Sequence, residues 1–192
     1  MKNLFYILLL LLVACGQESS QTADVSLLVD YEITKLEKAA GEMAIKRNNL
    51  GAIIEQGFLK NGVKDGVWIT FHDDENNLPA KITSFSKGIQ NGPEITLSNR
   101  GQIEEMSNFL NNQLHGRYGK YRFGRPTVTT EYSNGQFDGQ HKEYSNTGKL
   151  QKLIEFKDGK QHGSLQYYDE EGNITLEYTY KNGEKVSGGI VE

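Results

Sequence analysis

Apolar and polar side chains alternate along much of this chain with a period of two. Near the C-terminal end Ile174, Leu176, Tyr178 and Tyr180 alternate with Asn173, Thr175, Glu177 and Thr179. That spacing puts the apolar set on one face of a β-strand and the polar set on the other. The alternating runs are bounded by the dipeptides Asn61-Gly62, Asp65-Gly66, Asn134-Gly135, Asp138-Gly139, Asp158-Gly159 and Asn182-Gly183. Such pairs favour tight hairpin turns. The chain therefore reads as short antiparallel strands joined by hairpins.

The turn residues come in pairs four residues apart, and the pairs repeat. They are Gly62 and Gly66, Gly88 and Gly92, Asn112 and Gly116, Gly135 and Gly139, Gly159 and Gly163, then Gly183 and Ser187. First members step by 26, 24, 23, 24 and 24 residues. Asparagine stands at the one first position that lacks glycine, and it tolerates a left-handed backbone better than most residues. Three residues before each first member comes Leu59, Phe85, Phe109, Tyr132, Phe156 or Tyr180. Five after each of the first five second members comes Phe71, Leu97, Tyr121, Tyr144 or Tyr168. A third turn residue follows at Gly101, Gly148 and Gly172, and one residue early at Gly124. Both members of each pair are expected to be turns, so that a repeat is strand, turn, strand, turn. Residues 41–58 look like a degenerate further copy, with a turn at Asn49-Leu50-Gly51, and residues 26–40 form either a short helix or a cap. Tandem hairpins of this kind make a sheet in which each unit contacts mainly its neighbours. A lone hairpin is marginal in water, so stacked aromatics must supply the burial.

The N-terminal end has a different pattern. Lys2 precedes an unbroken apolar run from Leu4 to Val13. The run is shorter than the ~20 residues a membrane-spanning helix needs and has the size of a secretory signal's apolar core. Leu12-Val13-Ala14-Cys15 is similar to a bacterial lipobox, in which the cysteine is lipidated and starts the mature chain. An ordinary secretory signal is the alternative. Cys15 is the chain's single cysteine, so neither a disulfide framework nor a cysteine metal site is expected. The expected organisation is a signal peptide at 1–14, a lipidated Cys15 with a polar tether over 15–25, a cap and degenerate repeat at 26–57, and hairpin repeats over 58–192.

Composition narrows the functional classes. Formal charge is −4, and removal of residues 1–14 with Lys2 makes it −5. No basic patch of the kind a nucleic-acid binder carries is visible. The chain has 21 glycines and 3 prolines beside 10 tyrosines and 8 phenylalanines, which suits many short strands and neither collagen nor disorder.

The runs Lys157-Asp158-Gly159-Lys160-Gln161-His162-Gly163 and Lys181-Asn182-Gly183 resemble the bacterial variant of the MORN repeat. Its Gly-x-Trp-x-x-aromatic strand is matched best at Gly66, Trp68 and Phe71, and relaxes to Glu94 and His141 at the tryptophan position. The resemblance covers residues 58–187, and such chains are commonly labelled YwqK-type antitoxin-like proteins. It implies an all-β, elongated, single-layer antiparallel meander with a binding role, and it carries over no catalytic residue.

Histidines and acid clusters are the candidate chemistry on this frame. His115 and His162 precede second-member glycines, where other copies carry Asp65, Asn91 and Asp138, and read as turn residues. Four strands at ~4.8 Å would part them by roughly 19 Å, too far to share a metal. His72 and His141 lie in different repeats. Asp73-Asp74-Glu75 and Asp169-Glu170-Glu171 lack a calcium-loop pattern and read as solvated turns. No cofactor or metal is called for, and no acid–base pair converges.

The aromatic columns are the remaining signal. Trp68, Tyr118, His141, Leu165 and Tyr167 are expected to form an exposed binding surface, with Tyr144 on the opposite, structural face. The favoured function is a non-catalytic envelope lipoprotein that binds another protein through its repeat sheet. An antitoxin or immunity-type neutraliser is the second class, and an enzyme acting on envelope polymers the third.

Overall fold

The computed structural model describes residues 28–37 and 41–191. The expected signal peptide, Cys15 and the tether lie outside them. The described chain forms one antiparallel sheet of fifteen strands, with no α-helix among the described residues. The first seven strands are β1 (Glu32–Lys35), β2 (Glu42–Arg47), β3 (Ile53–Lys60), β4 (Val63–Phe71), β5 (Pro79–Ser86), β6 (Ile89–Leu97) and β7 (Ile103–Leu110). They are followed by β8 (Gln113–Leu114), β9 (Gly116–Arg122), β10 (Arg125–Ser133) and β11 (Gln136–Tyr144). The last four are β12 (Leu150–Lys157), β13 (Lys160–Tyr168), β14 (Ile174–Lys181) and β15 (Glu184–Ile190). Spatial order follows chain order, except that β8 pairs only with β7. This is the expected all-β meander. At ~4.8 Å per strand it measures about 60 Å across. The degenerate copy is a regular hairpin, β2 with β3, and β1 stands where a helix or cap was expected.

Two-residue turns line one rim. Asn61-Gly62, Lys87-Gly88, Asn111-Asn112, Asn134-Gly135, Asp158-Gly159 and Asn182-Gly183 all have positive φ at both positions. This is the turn whose twist matches that of the flanking strands. Every turn after the first is fastened to the repeat before it. The amide at the second turn position donates to a carbonyl one repeat back, from Gly88, Asn112, Gly135, Gly159 and Gly183 to Lys64, Gln90, Leu114, Phe137 and Gln161 at 2.7–3.0 Å. Side chains reinforce the link. Asp65 and Asp138 accept from Lys87 N and Asp158 N, and the Nδ1 atoms of His115 and His162 accept from Asn134 N and Asn182 N. The two histidines are thus turn caps in the same position as the aspartates.

The second members of the glycine pairs are a correction. Gly66, Gly92, Gly139 and Gly163 lie inside strands and Gly116 opens one. Four of them sit where the ladder slips, as between Thr130 and Tyr132, which face His141 and Phe137. These are β-bulges, and each left-handed glycine lets its strand absorb the extra residues without ending. In two copies the bulge is also covered. A Cβ on Gly163 would meet the Glu155 carboxylate at 2.3 Å, and one on Gly139 would meet that of Glu131 at 2.1 Å. Glu155 accepts both Ser164 N and Ser164 Oγ, at 2.8 and 2.9 Å. In the last pair the left-handed residue is Gly188, one place after Ser187.

The core is a row that crosses the sheet. Ala44, Gly57, Trp68, Thr83, Glu94 and Ser107 are successive cross-strand partners, and Tyr118, Thr130, His141, Ile154, Leu165 and Tyr178 are another run. Continuing the ladder from Glu105↔Lys120 and Met106↔Gly119 sets Ser107 beside Tyr118 and joins the two runs. Ala44, Trp68, Thr83, Ser107, Thr130, Ile154 and Leu165 are all buried. Phe85, Tyr132 and Phe156 stand two residues along on the same face. The rings of Tyr132, Phe137 and Phe156 pack at centroid distances of 4.9 and 5.0 Å, a small aromatic core made, among the described residues, without a second layer.

Candidate functional site

Most of the expected binding residues do share one line. Trp68, Tyr118, His141 and Leu165 belong to the central row, and Tyr167 lies two residues on from Leu165 on the same face. That line is the core, so the expectation of an exposed surface there is overturned. Trp68 is 2% exposed and Leu165 7%. The indole lies flat over Gly57, whose hypothetical Cβ would sit 2.2 Å from the ring. Its Nε1 donates to Phe58 O at 3.0 Å, and Tyr31 and Phe85 meet it edge-on at 5.8 and 6.5 Å. The Lys64 ammonium stands 4.0 Å from the indole centroid and pairs with Glu55 at 2.6 Å. Tyr31 Oη donates to the other Glu55 oxygen at 2.6 Å. Burial, then that bond and the Glu55 charge, push the Tyr31 phenol well above its ordinary range. Tyr167 is 37% exposed, and Tyr144 faces the other side and is half-buried.

The polar residues at the tryptophan position misled for a physical reason. A row in the core accepts Glu94 and His141 because each is satisfied within the sheet. Glu94 accepts from Thr83 Oγ1 at 3.0 Å and Gln90 Nε2 at 2.9 Å. His141 Nδ1 meets Thr130 Oγ1 at 2.9 Å, and its Nε2 meets Glu143 at 3.3 Å. Burial raises the Glu143 carboxyl, yet hydrogen bonds from Lys152 and His141 outweigh it and hold the group below its usual range. Burial and the Glu105 carboxylate push the Tyr118 phenol up to about 12. No group of three or more His, Cys, Asp or Glu converges as a metal site among the described residues.

The opposite face carries a pattern that the repeat register concealed. Ile69, Ile82, Ile95 and Met106 are consecutive cross-strand partners on β4, β5, β6 and β7. The three isoleucines are half-buried, Met106 is 37% exposed, and Val67 beside them is 55% exposed. Beyond Met106 the row passes through Gly119 and turns largely polar, with Thr129, Lys142, Leu153, Gln166 and Glu177. The signal was in the sequence: Ile69, Ile82 and Ile95 are 13 residues apart, half of the repeat. The acid clusters are turns, as expected. Asp74 and Asp169 each accept backbone N–H groups of their own loops, and the Asn173 side-chain amide, then the Asn173 backbone N–H, hold the Asp169 carboxyl low.

Fold and surfaces together define a tandem β-hairpin repeat protein that presents one self-packed face and one apolar-to-polar face. Residues 137–158 and 161–182 match the MORN repeat variant, each match spanning a bulged strand, a loop and the following strand up to a two-residue turn. No curated protein matches the chain in sequence. Among solved structures it is similar to a mutant of S. aureus TarM in complex with fondaparinux, alpha-GlcNAc-glycerol and UDP, at 9% identity and a TM-score of 0.30, over 71% of this chain and 22% of that one. It is also similar to accessory secretory protein 1, 2 and 3 of Streptococcus pneumoniae, at 13% identity and a TM-score of 0.28, over 77% of this chain and 21% of that one. The chain spans about a fifth of the length of those proteins, and likenesses this remote carry no argument about activity.

Proposed function

We propose that this protein is a non-catalytic binding module of the cell envelope, held by lipid on Cys15, that engages another protein through the stripe Ile69, Ile82, Ile95 and Met106. The observation that carries the reading is the stripe itself. Four adjacent strands align large apolar side chains on the face opposite the Trp68 row, and no second layer covers them among the described residues. Contiguous apolar surface of that kind marks an interaction site more often than isolated exposed residues do. The repeat sheet supplies a rigid backing, since the five hairpins from β5–β6 onward are each fastened to the one before along the turn rim. The anchor rests on the apolar run ending in Leu12-Val13-Ala14-Cys15.

Ile82→Asp tests the surface. The variant should keep the parent's melting curve to within a few degrees, because the side chain is only half-buried. It should lose covalent capture of the partner from intact envelopes. Capture equal to that of the parent at an unchanged melting temperature would remove the stripe from the function.

A further inference from the structure

The rim opposite the two-residue turns has one irregularity. Elsewhere its loops are headed by Asn48, Asp74, Ser98, Ser145 or Asp169, whose side chains accept backbone N–H groups of the same loop. Between β9 and β10 the loop shrinks to the two-residue turn Phe123-Gly124, with φ of +51° and +76°. The short turn leaves a notch of about 470 Å³, lined by Arg122, Phe123, Arg125, Pro126, Thr127 and Asn146 among others.

Three features of this turn work against the fold. Among the described residues Phe123 is the only aromatic with positive φ, where the other non-glycine residues of that kind are Asn, Asp and Lys. A bulky side chain in that region is strained. The ring recovers little by packing, since it is 70% exposed. Arg122 and Arg125 are direct cross-strand partners, and like charges so placed repel. No acidic group within the described residues pairs with either guanidinium. Arg122 instead stands 5.5 Å from the Phe123 centroid, and Arg125 Nη1 reaches Asn146 O at a long 3.5 Å. Local choices that break the fold's own rules without return are expected at functional positions.

We infer that the notch binds a phosphoryl group carried on an apolar or ring-bearing molecule. The two guanidiniums present donor forks that match phosphate oxygens, and phosphate between them removes their repulsion. Phe123 and Pro126 offer the flat apolar surface that the rest of the ligand covers. The same chemistry is found in a free phosphate ester and in a phospholipid headgroup.

The test uses the folded chain with two probes. Phenyl phosphate is titrated in solution, and vesicles of phosphatidylcholine are compared with and without phosphatidylglycerol. Each is repeated with Arg122→Gln, Arg125→Gln and Phe123→Asn. The expected result is saturable binding of one probe, weakened at least about tenfold by either arginine change, the loss of ~1.4 kcal/mol that one charge-assisted contact represents. Binding of phenyl phosphate in solution assigns a free ester, and binding only to phosphatidylglycerol vesicles assigns a headgroup. Phe123→Asn restores the residue type common at this turn position, so it should raise the melting temperature while weakening binding. No binding of either probe, or binding that survives both arginine changes, overturns the site. A Phe123→Asn variant that melts lower than the parent overturns the strain on which it rests.

Discussion

Replacing Trp68 with alanine tests the assignment of the core. The side chain is 2% exposed and packed between Tyr31 and Phe85, with Lys64 above and Gly57 below. Truncating a buried tryptophan costs about 3–5 kcal/mol. The lost Nε1 hydrogen bond to Phe58 O accounts for about 1 kcal/mol of that, and the contact with Lys64 for roughly another. In a linear array the loss stays near its origin, because distant repeats share no contact with the altered one. A deficit of about 4 kcal/mol corresponds to roughly a thousandfold loss of amide protection. Hydrogen exchange should show that loss in β3, β4 and β5, with β11 to β14 unchanged. Trp68→Phe keeps a ring over Gly57 and should cost less than half as much. Loss below tenfold in β3 to β5, or equal loss along the whole sheet, would refute both the burial and the locality.

Other consequences are open to measurement. Gly163→Ala should destabilise more than Gly159→Ala: both need positive φ, worth about 1 kcal/mol or more, but only at Gly163 would the Cβ displace a carboxylate, that of Glu155. Equal thermal shifts would mean the bulge is not closed by Glu155. Tyr118 has a folded-state pKa above its unfolded value, so its contribution is complete below pH ~10 and fades as pH rises toward about 12. Tyr118→Phe should flatten the alkaline part of the stability profile over that window, and an unchanged profile would contradict the burial. Cys15→Ser should move the mature chain from the detergent-dependent to the soluble fraction, whereas full retention would place the anchor elsewhere.

The turns were legible because few residues adopt a left-handed backbone without cost. Asn-Gly and Asp-Gly therefore announced the hairpins, and Asn112 kept the register where glycine was missing. The second glycines were not legible as bulges, since Asp138-Gly139 is as good a turn dipeptide as Asp158-Gly159. What separates them is the neighbouring strand: β10 and β12 run on past Gly139 and leave no room for the chain to reverse. Which face is the core was hidden for a similar reason. Glu94 and His141 look like surface residues in a sequence, and only the positions of Thr83, Gln90 and Thr130 show that the row can hold them. The isoleucine stripe was encoded at half the repeat length, where a search for whole repeats passes over it. The sequence marked only Gly124 at the β9–β10 turn, because the strain and exposure of Phe123 are properties of the folded chain.

Photocrosslinking from two positions on opposite faces addresses the binding surface most directly. A photoreactive residue at Ile82 probes the stripe, and one at Tyr167, which is 37% exposed on the Trp68 side, probes the face that packs upon itself. Both variants are expressed as the full chain, irradiated on intact envelopes and resolved by mass. The expected result is one discrete protein adduct from position 82 and none from position 167. An adduct from position 167 with none from position 82 would contradict the assignment and return the binding surface to the aromatic face.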